Sequence, residues 1–127
     1  MSHFNTGMLV VAFSVSLVAC ADPCENRLIS EEPAPGGNRG ALVFERSCGA
    51  TTGFSTHVSV RHALGPLPKS GGNVFAADSD HGAAKDMTVS VRWVTQDQLI
   101  IRYPSRARVF KKEAQVNGVA VAYETMP

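Results

Sequence analysis

The sequence predicts an all-β fold: an antiparallel, hairpin-rich sheet of about seven or eight strands, curled into a small sandwich or partly open barrel. Three observations predict it. Apolar and polar residues alternate with period two over several segments, as in strands with one buried face. Tight-turn dipeptides separate some of these segments. The intervening stretches are rich in Gly and Pro, and no amphipathic helix of useful length appears.

The elements follow in order. Strands are expected at about 27–32, 40–47, 55–62, 73–77, 87–95, 98–103, 107–116 and 119–125. Ala41-Leu42-Val43-Phe44 is apolar throughout, which suits a central strand. His57-Val58-Ser59-Val60-Arg61 alternates, with Val58 and Val60 on one face. Gly65-Pro66-Leu67-Pro68-Lys69-Ser70-Gly71-Gly72-Asn73 is too broken for regular structure. Met87, Val89, Val91 and Trp93 alternate with Thr88, Ser90 and Arg92, and should point inward. Gln96-Asp97 makes a tight hairpin to Leu99, Ile101 and Tyr103. Asn117-Gly118 is a stronger signal, since both residues tolerate the positive φ of a type I′ turn. A two-residue loop there pairs Val116 with Val119, and the same register puts Lys111 opposite Glu124.

The first 19 residues read differently. Met8 to Ala19 is an apolar run of about a dozen residues, shorter than the roughly 20 needed to span a bilayer. It has the length of a signal-peptide core and ends in small residues. Leu17-Val18-Ala19-Cys20 resembles the lipobox of bacterial lipoproteins, in which the chain is cut before Cys and the sulfur carries lipid. Residues 1–19 are then a lipoprotein signal peptide, and residues 20–127 a single small β domain anchored at Cys20. Met1 to Gly7 has no Lys or Arg, which is atypical. A plain secretory peptide or a membrane-associated N-terminal segment is the alternative. Two or more acyl chains suffice for stable anchoring.

The chain has 127 residues, with 12 Lys and Arg against 11 Asp and Glu. That near-neutral balance argues against general nucleic-acid binding. Three cysteines are present. With Cys20 assigned to lipid, Cys24 and Cys48 remain as a pair in an oxidising compartment. They are equidistant from Gly36, so a hairpin turning within Pro33-Ala34-Pro35-Gly36-Gly37-Asn38 sets them opposite each other. The other outcome is two free thiols or a redox-active one.

A resemblance extends over most of the chain after Cys20. It is carried by Phe44-Glu45-Arg46-Ser47-Cys48-Gly49-Ala50-Thr51-Thr52-Gly53-Phe54-Ser55-Thr56-His57-Val58-Ser59, by Gly72-Asn73-Val74-Phe75, by Val91-Arg92-Trp93, and by Ala107 to Glu113. These resemble a family of small uncharacterised bacterial proteins, often with signal peptides, that share a Cys-Gly-Ala-Thr-Thr-Gly-Phe-Ser-Thr core. The resemblance implies a compact β domain and carries over no catalytic or binding residue. Many relatives have Ser-Pro-Asp-Gly at the first turn, where this chain has Pro35-Gly36-Gly37-Asn38.

Four constellations are candidate sites. The segment Gly49 to His57 is small and hydroxyl-rich, and Thr51, Thr52, Ser55, Thr56 and His57 could bind a sugar, peptide or anion. Those hydroxyls could equally satisfy their own backbone. Ser55 and His57 share a strand face, as a hydrolase nucleophile and base would, but no nucleophile elbow or orienting acid accompanies them. Asp78, Asp80, His81 and Asp86 could ligate a cation, although the spacing is not that of an EF-hand and a solvated turn explains it as well. Arg102, Arg106, Arg108, Lys111 and Lys112 place five cations in a short stretch without an acid. They suit either anionic lipid headgroups or the protection of a sheet edge.

The expected function is therefore that of a lipid-anchored bacterial envelope protein, on the periplasmic or extracytoplasmic side of its membrane. Its domain is a non-catalytic binding or structural module with no cofactor and no metal. Its partners are the membrane, through the lipid, and another envelope protein or cell-wall component. The alternatives are a small hydrolase-like enzyme using Ser55 and His57, and a cation or ligand sensor using the Asp78–Asp86 loop.

Overall fold

The structure is a computed structural model, and it describes residues 10–14, 23–49, 52–62, 65–83 and 87–127. Among the described residues nine strands form two sheets: β1 (Glu25–Pro33), β2 (Gly40–Ser47), β3 (Phe54–Arg61), β4 (Phe75–Asp78), β5 (Ser90–Thr95), β6 (Gln98–Pro104), β7 (Arg108–Lys112), β8 (Gln115–Val116) and β9 (Val119–Met126). One sheet runs β1-β2-β3-β4-β7 and the other β5-β6-β9-β8. The two pack as an open sandwich rather than a closed barrel.

Alternation decides which side chains lie between the sheets. Ala41, Val43, Val58, Val60, Phe75 and Ala77 of the five-stranded sheet meet Leu99, Ile101, Tyr103, Val119 and Val121 of the other. Met87 and Val89 are buried in this core, and Val91 and Trp93 pack against it, all inward as the pattern requires. Trp93 also ties the sheets together, because its Nε1–H donates to the Glu32 carbonyl at 2.8 Å.

Two hairpins have the expected turns. Thr95 pairs with Gln98 around Gln96-Asp97. Val116 pairs with Val119, with Asn117 at φ 48° and Gly118 at φ 77°. The first hairpin follows the expected register from Glu25 to Leu28 and is shifted by one residue on the turn side. Glu25 pairs with Ser47, a bulge falls at Ile29, and Pro33 pairs with Gly40. Cys24 and Cys48, one step beyond the Glu25–Ser47 pair, form a disulfide.

Between Ala107 and Val116 the chain departs from expectation. The single strand expected there is two strands in different sheets. Lys111 pairs with Ala76 of β4, not with Glu124. Glu124 lies opposite Arg102 and forms an ion pair with it at 3.2 Å. At the break, Glu113 donates its N–H to the Val74 carbonyl, the last bond of this segment to the first sheet. Ala114 then accepts from Val121 in the second. This crossing has a topological consequence. The chain leaves β6, passes through the opposite sheet as β7, returns as β8 and turns into β9, which lies parallel to β6. The expectation of purely antiparallel pairing fails at this one pair.

The disulfide closes a loop with a sequence separation of 24 and secures an edge strand. Cys24→Ser with Cys48→Ser should lower unfolding free energy by about 3 kcal/mol. Urea unfolding of the variant and of the reduced wild type should give the same reduced midpoint.

Candidate functional site

β2 is buried on both sides. Leu42 and Phe44 point away from the sandwich core, yet are only 1% and 0% exposed. What covers them is the Gly- and Pro-rich segment after β3, which crosses the outer face of the five-stranded sheet as a strap. Side chains of the sheet hold its backbone. Asn26 Nδ2 donates to the Pro68 and Ser70 carbonyls at 2.6 and 2.8 Å. Arg46 donates to Lys69 O at 3.0 Å and to Asn26 Oδ1 at 2.8 Å. The Arg61 guanidinium donates to the Gly65 and Pro66 carbonyls. Asn73 N–H donates to Ser59 Oγ at 3.1 Å, and Lys111 Nζ to Gly72 O at 3.1 Å.

His57 is at the centre of this arrangement. Its ring stacks on Phe44 with centroids 5.5 Å apart and 24° between planes. Gly72 N–H donates to its Nδ1 at 2.9 Å, and Ser55 Oγ lies 2.7 Å from its Nε2. Ser55 and His57 do meet, as their spacing implies, but in the wrong sense for catalysis. With Nδ1 accepting from a backbone amide, the neutral ring carries its proton on Nε2 and donates it to Ser55. A general base needs the opposite tautomer, with the lone pair facing the hydroxyl and a carboxylate behind Nδ1 to support the imidazolium. Here burial, followed by the charges of Arg46 and Lys111, lowers the His57 pKa to about 4. The pair is a polar clamp for the strap.

The other hydroxyls of the candidate set scatter. The loop is shorter than expected, because β3 begins at Phe54. Thr56 is buried and paired with Glu45 across the strands, on the face opposite His57. Thr52 is exposed and its Oγ1 bonds back to Gly49 O at 3.3 Å. Thr51 lies outside the described residues. An open concavity of about 400 Å³ beside the disulfide is lined by Pro23, Glu25, Ser47, Gly49, Gly53 and Phe54, without the hydroxyls of Thr52, Ser55 or Thr56.

Asp78 is likewise engaged. It is buried and accepts two hydrogen bonds from Arg108, Nε to Oδ1 at 3.0 Å and Nη2 to Oδ2 at 2.7 Å. Asp80 and His81 are exposed on a tight turn, Asp80–Gly82, where both have φ 53° and Gly82 has φ 83°. The turn's backbone presses on Gly53, where an added Cβ would lie 2.6 Å from Gly82 O. Asp86 lies outside the described residues, as do Cys20 and the Leu17-Val18-Ala19 that precedes it. Among the described residues no group of three or more His, Cys, Asp or Glu could hold a metal ion.

Sequence reasoning missed the strap as a covering element, and with it the roles of Asn26, Arg46, Arg61 and Gly72. The signal was faint. Leu42 and Phe44 point to opposite sides from Ala41 and Val43, so an entirely apolar strand needs two covers.

Two outcomes test the clamp. A Cβ at Gly72 would lie 2.6 Å from Val58 O and 2.7 Å from Phe75 O. Gly72→Ala should therefore destabilise the domain by about 1–3 kcal/mol in chemical denaturation. For His57 the folded pKa is depressed, so between about 6.5 and about 4 the unfolded chain binds the extra proton. Stability then falls as pH falls through this window and is fully present above it. In urea titrations across that range His57→Gln should flatten the dependence.

Compared with known protein families, curated protein sequences and solved structures, the chain finds no match.

Proposed function

We propose that the protein is a bacterial envelope lipoprotein, held by lipid on Cys20, whose β domain is a non-catalytic binding or structural module. The observation that carries this reading is the division of labour among the cysteines. Cys24 and Cys48 bond to each other, which leaves Cys20 with neither as a partner. Cys20 itself stands at the end of a short apolar run in a lipobox-like sequence.

Two further features support it. Val10, Val11 and Phe13 of that run are 81%, 66% and 90% exposed, so these side chains contribute nothing to the core. Large apolar residues left outside a core fit a segment used in a membrane and then removed. A disulfide is also what an exported domain of this size needs, and what the cytoplasm would reduce. The non-catalytic part of the reading rests on the clamp: the His57 tautomer and its cationic surroundings oppose general-base chemistry.

Expression in a bacterium with labelled palmitate tests the anchor. The wild type should incorporate label, fractionate with membranes and lose residues 1–19. Cys20→Ala should abolish the label and prevent cleavage at that position. A labelled, membrane-bound Cys20→Ala protein would overturn the reading.

A further inference from the structure

The cations between Arg102 and Lys112 are not equivalent. Arg102 is neutralised by Glu124 on the outer face of the four-stranded sheet. The others mark the β7 edge of the five-stranded sheet and the turn leading into it. Arg106 is exposed in that turn, which is closed by Ala107 N–H to Pro104 O at 3.0 Å and Ser105 N–H to Met126 O at 2.8 Å. Arg108 shares its charge with Asp78. Lys112 Nζ lies over the rings of Tyr103 and Tyr123, at 5.8 and 5.0 Å. Lys111 reaches the Gly72 carbonyl with no carboxylate in its hydrogen-bond set.

Among these cations stands Phe110, 58% exposed, with the Arg108 guanidinium 5.0 Å from its ring centroid. Edge protection accounts for the cations but not for this ring. An exposed aromatic on an unpaired edge invites association, which edge cations exist to prevent. An exposed aromatic with a guanidinium against its ring and further exposed cations along the same turn and strand is instead the composition of a surface that meets anionic headgroups and inserts shallowly between them.

The register fixes where this surface lies. Asn26 pairs with Arg46 and Arg46 with Ser55; Thr56 pairs with Ala77, and Asp78 with Arg108. Arg108 is thus near the end of the sheet that bears the Cys24–Cys48 disulfide, and Arg106 lies further toward that end. Three residues separate Cys20 from Cys24, and the four steps between them make a tether of at most about 14 Å. β7 is four strands from β1, roughly 19 Å across the sheet. Of the neighbouring carboxylates, Asp78 is paired with Arg108, Asp80 is exposed in the turn after β4, and Glu113 follows β7 at the other end of the stripe.

We infer that the β7 edge, with Arg106, Arg108, Lys111 and Lys112 around Phe110, docks on the anionic phospholipid surface to which the chain is anchored, so that the domain lies in a fixed orientation against its membrane. The inference rests on the Cys20 anchor, which holds the disulfide end of the sheet, and with it Arg106 and Arg108, close to the bilayer. Each basic side chain near an anionic surface strengthens attachment about fivefold, and the effect decays within a Debye length of about 8 Å at physiological salt.

The test uses the purified, lipidated full-length protein in vesicles containing bromine-labelled phosphatidylcholine. Phe110→Trp introduces an indole at the docking edge, and the wild type with Trp93 alone supplies the background. With about one third phosphatidylglycerol, the added fluorescence should be quenched at least twofold more than in phosphatidylcholine alone. High salt, or Arg106→Glu in the same background, should remove the difference while the protein still floats with the vesicles. Flotation with equal, weak quenching in both compositions would overturn docking and leave the anchor standing. A chain that gains no lipid mass and does not float would overturn both.

Discussion

β2 is apolar on both faces, and the architecture follows from covering both. One face, Ala41 and Val43, is closed by the four-stranded sheet through Leu99, Ile101 and Val119. Among the described residues no third sheet meets the other, Leu42 and Phe44. An irregular strap covers it instead, and an irregular strap brings unpaired backbone groups with it. This is why the outer face of an otherwise ordinary sheet carries Asn26, Arg46, Ser59 and Arg61: they satisfy the strap's carbonyls and amides. His57 fits the same logic, since its flat face extends the apolar surface over Phe44 while its Nδ1 receives the Gly72 amide. A cover made of polar bonds over two apolar residues is also the part of the fold most sensitive to charge. Protonating His57 would remove the acceptor and place a third cation beside Arg46 and Lys111.

Much of the fold was legible because it is local. Val58 and Val60, or Met87 through Trp93, declare their buried face by alternation alone. Asn117-Gly118 declares its turn because few dipeptides tolerate two positive φ values. The Cys24–Cys48 pairing followed from hairpin symmetry, and the bulge at Ile29 lies on the turn side of it, leaving the register at the cysteines intact. The crossing at Glu113-Ala114 was not legible. No Gly or Pro marks it. The last bond of this segment to the first sheet goes to the Val74 carbonyl, nearly forty positions earlier in the chain, and the next goes to Val121 of the other sheet. The parallel β6–β9 pair follows from that crossing and was hidden with it.

The candidate site divides in the same way. That Ser55 and His57 touch could be read from their spacing on one strand. Which of them donates could not, because the answer depends on Gly72 in the strap. Asp78 looked like part of a cation loop because its neighbours in sequence are acidic. Its neighbour in space is Arg108, thirty residues on, which a cross-sheet pairing brings alongside. In both cases the residue type suggested chemistry, and a non-local partner assigned it a structural task.

The disulfide acquires its meaning from the same sheet. β1 is an edge strand with Leu28 and Ile29 partly exposed and only β2 beside it. Its exposed residues Glu25, Arg27, Glu31 and Glu32 contribute little burial, and the Arg27–Glu45 ion pair is largely solvent-exposed on the Arg side. Such a strand would fray first from its free end. Cys24 stands at that end, and its bond to Cys48 transfers the hold to β2, which is buried over six of its eight residues. Asn26 then anchors the far side of the strap to this same stretch. Releasing β1 would therefore loosen the cover over Phe44 as well as the edge, so one covalent bond at the start of the domain secures both the sheet and the polar lid across it.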